Sequence, residues 1–260
     1  MSTARPTAEM SDTLAGVTVL VTRPQGQQAG LVAAIEAAGG RALHFPAMAI
    51  SPYRQTEAVL RLQHATAYDW LVFISRNAVQ FALPHLPARL PKLIAIGRAT
   101  AASLQAAGLS VAVVPARFDS ESVLASLPLH MQGQRILIVR GTGGREALAE
   151  GLQQRGATVE YAEVYRRHCP NVPPDALAQV LAQSPDIVTA TSGEVLHNLL
   201  HLAGPARPQL LALPLVVMSE RGAGYAKSLG FPHGAVYIAP QASDAGIVSA
   251  IKQWHEESSA

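Results

Sequence analysis

The sequence predicts an α/β protein of two similar lobes, each a doubly wound parallel sheet, joined by two extended linkers with a cleft between them. Composition is the first of three observations behind this. Of 260 residues 49% are hydrophobic, rich in Ala, Val and Leu, and only 5% are aromatic, a balance suited to helices packed on a buried parallel sheet. The second is a recurring pattern: a short run of apolar β-formers enters a small, polar turn and then a stretch with apolar residues at helical spacing. The third is that this pattern is written twice.

Residues 135–145, RILIVRGTGGR, with the EALAEGLQQRGA that follows them, read as strand, glycine turn and helix. Residues 19–39, VLVTRPQGQQAGLVAAIEAAG, repeat them 117 positions earlier, with Arg23 for Arg140, Leu31 for Leu148, Ile35 for Leu152 and Gly39 for Gly156. At the same offset DIVTATSGE lies over DWLVFISRN, pairing Asp186 with Asp69 and Ser192 with Ser75. LVVMSERGAGYAKSLG then repeats LIAIGRATAASLQAAG at an offset of 122. Two copies are too few for a solenoid, so the duplication predicts two domains.

In order, residues 1–16 read as a disordered tail and 17–22 as the first strand, ended by Arg23-Pro24. Pro24 suits the first helical position because it lacks an N–H that would be orphaned there. Residues 29–38 form a helix closed by Gly39-Gly40, and 41–45 a second strand. Pro46 and Pro52 make AMAISPY a linker rather than a sheet interior. A helix over 54–65 leads to a strand at 70–74, a helix to Leu86, a strand at 93–96, a helix at 101–107 and a strand at 111–114. Asp119 or Ser120 caps a helix over 122–127. After the strand, turn and helix beginning at 135, a strand at 158–161 runs into the extended AEVYRRHCPNVPP, where Tyr165 stands over Met48 of the first linker. Helix 175–183, strands 187–190, 215–218 and 236–239 with their helices, and a last helix from Asp244 complete the second copy. Each lobe thus reads as flavodoxin-like, a fold that binds ligands at the carboxyl ends of its strands.

Those ends carry VTRP, ISRN, IGRAT, FDSES, VRGTGGR, TSGE, SERG and QASD. Singly, each is an ordinary helix start, since Ser, Thr, Asp and Gly suit N-termini. Together they offer many backbone N–H groups to a ligand with several carboxylates or phosphates. They nominate Arg23, Ser75, Arg76, Asn77, Gly97, Ser120, Arg140, Gly141, Gly144, Ser192, Gly193, Glu194, Ser219 and Arg221 as ligand contacts. The run Gly141-Thr142-Gly143-Gly144 is not a dinucleotide fingerprint, because Glu146 stands where its last Gly must be. His197 and His201 lie one helical turn apart without a carboxylate base between them, which favours a surface or packing pair over a metal site. No Ser-His-Asp set is present. Net charge is only +2 and the basic residues are scattered, which excludes a nucleic-acid surface. The N-terminus lacks a signal-peptide core, no apolar run would span a bilayer, and Cys169 is the sole cysteine, so a cytoplasmic protein without disulfides is expected.

The succession VLVTRP, FISRNAV, AIGRATAASL, SxSVLASL, ILIVRGTGGR, VYRR, TSGEVL and VMSER resembles the uroporphyrinogen-III synthase family over residues 17–251. The resemblance implies a lyase that cyclises hydroxymethylbilane, a linear tetrapyrrole with eight carboxylates, to uroporphyrinogen III. Water is lost and ring D inverts through a spiro intermediate, in heme biosynthesis. It implies no metal or organic cofactor, and a monomer meeting hydroxymethylbilane synthase only transiently, with no nucleic acid or membrane partner. It also implies discontinuous lobes, 17–46 with 167–254 and 51–163, whose linkers at 47–50 and 164–166 pair as a short ladder. Tyr165 matches the family tyrosine that assists hydroxyl loss and Thr100 a cleft threonine. Ser75, Ser192, Gly193 and Ser219 match contacts to the carboxylates, although the turn after Ile74 reads Ser-Arg-Asn where many members carry Thr-Ser. The rival readings are a two-lobed receptor for an anionic ligand and a regulatory module. The missing signal peptide argues against the first, and strand ends poor in clustered acids against the second.

Overall fold

The computed structural model describes residues 13–259 apart from Arg54, Phe118 and Arg145. The expected tail divides at that boundary: residues 1–12 lie outside the described residues, whereas 13–16 are not tail. Leu14 is fully buried and its N–H bonds the Ala38 carbonyl at 2.8 Å, because its side chain completes the core beside Ile35.

In chain order the strands are β1 (Thr18–Val21), β2 (Arg41–His44), β3 (Ala49–Pro52), β4 (Trp70–Phe73), β5 (Lys92–Ala95), β6 (Arg135–Gly141), β7 (Thr158–His168), β8 (Ile187–Ala190), β9 (Leu215–Val217) and β10 (Val236–Ile238). The helices that bear on the site are α1 (Ala29–Ala37), α2 (Thr56–Gln63), α3 (Arg76–Ala82), α4 (Arg98–Ala106), α5 (Ser120–Ala125), α6 (Ala147–Gln154), α7 (Ala176–Leu181), α8 (Gly193–Ala203), α9 (Arg207–Leu211), α10 (Glu220–Ser228) and α11 (Asp244–Ser259). The chain divides into two compact units. The segment through Ala49 and the segment from His168 form unit 1, and Ile50–Arg167 forms unit 2.

Unit 1 holds the parallel sheet β2-β1-β8-β9-β10. Numbered within the unit this is 2-1-3-4-5, the flavodoxin-like order. Unit 2 holds β3-β7-β6-β4-β5, with β7, β6, β4 and β5 parallel. The duplication extends to strand register. Val19 pairs with Ile187 and, 117 residues on and back, Ile136 pairs with Trp70; Thr18 pairs with Arg41 as Arg135 does with Thr158; Val188 pairs with Leu215 as Leu71 does with Leu93.

The repeated aspartates fix that register. The Asp69 N–H donates to the Arg135 carbonyl at 2.9 Å while its carboxylate accepts the Arg135 N–H at 2.8 Å. Asp186 does the same to Thr18, at 2.8 and 2.7 Å. A one-residue slip would break both bonds and turn every side chain to the wrong face. Asp69→Ala and Asp186→Ala are each expected to cost about 1–2 kcal/mol in denaturant unfolding, with Asn intermediate.

Two expectations change. Residues 111–114 do not form a strand: only Val113 makes a single bridge, to Ile94, at the position in unit 2 that β10 holds in unit 1. Val111, Val113 and Val114 suit a strand, but the segment lies at the open edge of the sheet, where Val114 stays 41% exposed and gains nothing from pairing further. The strand expected at 158–161 continues through the second proline-flanked stretch to His168, so 164–166 lie inside β7. There the Tyr53 N–H bonds the Val164 carbonyl at 2.9 Å, and β3, with Pro52, occupies the sheet edge where a missing donor is tolerated.

Both sheets are covered on both faces. Leu20, Val188 and Val217 pack under α7 to α10, and Val19, Val21, Ile187 and Val216 under α1 and α11. In unit 2, Leu71, Phe73, Leu137 and Val139 face α2 to α4, and Trp70, Val72, Ile136 and Ile138 face α5 and α6. This two-sided burial is why the strands read as unbroken apolar runs. No helix among the described residues is long and apolar enough to cross a membrane.

Candidate functional site

The strand-end turns first do what helix starts require. Ser75, Asp119, Ser192 and Ser219 cap α3, α5, α8 and α10, accepting from the N–H groups of Ala78, Ser122, Val195 and Gly222 at 3.0, 2.7, 3.2 and 3.2 Å. A capping serine keeps its own hydroxyl proton, and the first-turn N–H groups have no partner within the helix, so the cap and an anion site are compatible.

In unit 1 two of these turns converge. Beyond the carboxyl ends of β8 and β9, between the starts of α8 and α10, lies a cavity of about 610 Å³. Ser192, Gly193, Glu194, Ser219 and Arg221 line it, as do His197, expected only as one of a surface or packing pair, and Gly222 and Tyr225, which the sequence did not single out. The signal was available, since Tyr225 follows Arg221, and His197 follows Gly193, by four residues along one helix. Arg221 is exposed and makes no ion pair among the described residues. Arg23 is not part of this cavity. Its guanidinium pairs with Asp244 at 2.6 Å, so its charge is spent inside the fold.

In unit 2 the nominated residues divide between the two faces of the sheet, because neighbours on a strand point opposite ways. On one face Tyr165 is 7% exposed, its ring stacked on Phe81 with centroids 5.9 Å apart. Its hydroxyl lies 3.1 Å from Ser75 Oγ, so it faces the α3 cap rather than open space. Gly141 makes the room: a Cβ there would lie 2.6 Å from two atoms of that ring. Thr100, in the first turn of α4, is 4% exposed, and Gly97 before it is buried and offers α4 no side-chain cap. Arg76 is exposed and Asn77 half-buried at the start of α3.

Arg140, Gly144 and Ser120 line a separate cavity of about 210 Å³ on the other face, with Asp119 and Tyr161. Arg140 was expected to meet ligand, but its guanidinium is already engaged. It reaches Glu146 at 2.8 Å and Glu163 at 3.2 Å and lies 3.6 Å over the centre of the Tyr161 ring. Burial works against its charge, yet the Glu146 hydrogen bond, then Glu146, Tyr161 and Glu163 electrostatically, hold the guanidinium above its usual range. Glu146 is pushed down first by the Tyr161 hydroxyl and then by Arg140. Tyr161 rises to about 12, chiefly through burial and next through the bond to Glu146. Glu163 also accepts the Gly143 N–H at 3.3 Å, tying the glycine turn to β7. Among the described residues, no three His, Cys, Asp or Glu side chains are grouped to hold a metal, and His197 and His201 are both exposed.

Two parallel sheets with helices on both faces and small polar turns at their strand ends define a two-lobed α/β protein. Residues 29–249 match the family described as Uroporphyrinogen-III synthase HemD. The chain is 33% identical to the Uroporphyrinogen-III synthase of Escherichia coli over 254 residues, covering 91% of this chain and 100% of that one. With the Synechococcus elongatus Uroporphyrinogen-III synthase it shares 34% over 202 residues, 73% of this chain and 75% of the other. The fold is like that of the uroporphyrinogen-III synthetase structure from Helicobacter pylori, at TM-score 0.61, 18% identity and coverage of 92% and 99%. The chain belongs to the uroporphyrinogen-III synthase family, hydro-lyases of tetrapyrrole biosynthesis.

Proposed function

We propose that this chain closes hydroxymethylbilane to uroporphyrinogen III, losing water and inverting the last pyrrole ring. The observation that carries the reading is the serine-capped helix start that recurs at equivalent strand ends, Ser75 in unit 2 and Ser192 in unit 1, in a chain of this family. Each such turn offers a hydroxyl and first-turn N–H groups to one carboxylate, and a substrate with eight carboxylates needs many such sites. Arg221 adds a cation in unit 1. The electron-rich pyrrole itself drives departure of the terminal hydroxyl. The protein's work is to hold the chain in the conformation that closes at the substituted carbon, before free substrate closes unaided to the type I isomer. Tyr165 is proposed to donate a hydrogen bond to the departing hydroxyl, and Thr100 to act beside it. The Tyr165 hydroxyl has a polar neighbour, Ser75, and so is already aimed at a strand-end turn.

The test is freshly made hydroxymethylbilane with type I and type III products resolved. The chain is expected to give type III without added metal and to keep its rate in the presence of a chelator. Product that is only type I, or a rate that collapses with chelator, overturns the reading.

A further inference from the structure

We propose that Tyr225 is a substrate-positioning residue, an aromatic platform in the unit 1 cavity on which one planar, electron-rich ring of a carboxylated tetrapyrrole lies. The proposal rests on the functional reading above and names a group that reading does not use. Tyr225 lines the cavity of about 610 Å³ and keeps 37% of its surface exposed there. Core packing does not account for it. Ala226 beside it on α10 and Phe231 just beyond that helix are fully buried, whereas among the described residues the Tyr225 ring stacks on no other ring.

Gly193 supports the same conclusion from the opposite side. Its φ lies outside the left-handed region, so the backbone does not require glycine. What glycine supplies is space, since a Cβ at 193 would sit 3.1 and 3.3 Å from two carbons of the Tyr225 ring. One edge of the ring therefore lies close to the first residue of α8, while the residue stays partly exposed in the lining of the cavity. Arg221 lies one helical turn before it on α10, and the capping hydroxyls Ser192 and Ser219 line the same space. Glu194 lines it too, so the cavity is not uniformly cationic. An aromatic face flanked by a guanidinium and two hydroxyls matches one ligand class: a flat ring carrying carboxylate arms.

The experiment measures KM, kcat and the ratio of type III to type I product for Tyr225→Ala, Tyr225→Phe, Gly193→Ala and the Gly193→Ala/Tyr225→Ala pair. Tyr225→Ala is expected to raise KM about tenfold with kcat nearly kept, and to release more type I product, because loosely held substrate closes unaided. Phe at 225 recovers most of the lost KM. Gly193→Ala, which displaces the ring, raises KM several-fold alone and adds nothing once the ring is gone. A wild-type KM in Tyr225→Ala, or effects that multiply in the pair, would overturn this proposal alone. Absence of type III product from the unaltered chain would overturn the functional reading, and this inference with it.

Discussion

Tyr165→Phe is expected to slow type III formation by about ten- to a hundredfold while leaving the fold nearly intact. The two halves of that expectation have separate causes. The ring is what packs: it stacks on Phe81 and fills the space left by Gly141, and Phe preserves both contacts. The hydroxyl makes one bond, to Ser75, and Ser75 keeps its cap on Ala78 without it, so the stability cost is about 1 kcal/mol or less. A loss of turnover far above what that bond explains belongs to the leaving group. Because the pyrrole already drives ionisation, the low end of the range and residual type III product are expected. Tyr165→Ala removes a ring that is 7% exposed and should cost about 3–5 kcal/mol through the cavity it leaves. Unchanged turnover in Tyr165→Phe beside a lowered melting temperature in Tyr165→Ala would make the tyrosine purely structural. Equal rate losses in Tyr165→Phe and Ser75→Ala would instead assign the hydroxyl to orienting the α3 turn.

The second large effect is expected from Arg140→Met. The substitution keeps most of the side chain's length but removes the bonds to Glu146 and Glu163 and the charge over Tyr161. Those carboxylates are 48% and 26% exposed and can turn to water, so the loss is held to about 2–3 kcal/mol rather than that of a fully buried pair. It should appear as a melting temperature lower by roughly 5 °C. Glu163, freed of Arg140, would also hold the Gly143 N–H less firmly, so the glycine turn should show faster amide exchange. The gap between wild type and variant should depend on pH. Glu146 titrates below its ordinary value in the folded chain, so its stabilisation is complete above the unfolded value of about 4.5. Arg140's share of that contribution is lost as pH falls through the lowered folded value, so the gap between the melting temperatures should narrow in acid. A gap that stays constant into acid would assign the Arg140 contribution to the Tyr161 ring contact and to packing rather than to ion pairing.

Most of the architecture was legible in the chain because it rests on local rules. Apolar runs of about four residues that end in Ser or Gly and lead into helical spacing read as short buried strands feeding helices, and the repeat of Arg23, Asp69 and Ser75 at Arg140, Asp186 and Ser192 marks equivalent positions whatever the fold. The strand registers keep that equivalence pair by pair. The serine turns were legible too, since a cap is a contact within three residues. What could not be read were the partners that charged side chains find at long range. Arg23 and Arg140 look alike in sequence to Arg221, yet Asp244 reaches the first and Glu146 and Glu163 the second. Glu146 was visible as the residue that spoils a nucleotide fingerprint, but not as the counterion of Arg140. Alternation along β6 already puts Arg140 and Gly141 on opposite faces, but the sequence could not say that Tyr165 and α3 would cover one face and Tyr161 and α6 the other. Propensity and repetition act over a few residues and determined the elements. Charge neutralisation and the choice of face depend on which elements become neighbours, and only the tertiary structure decided those.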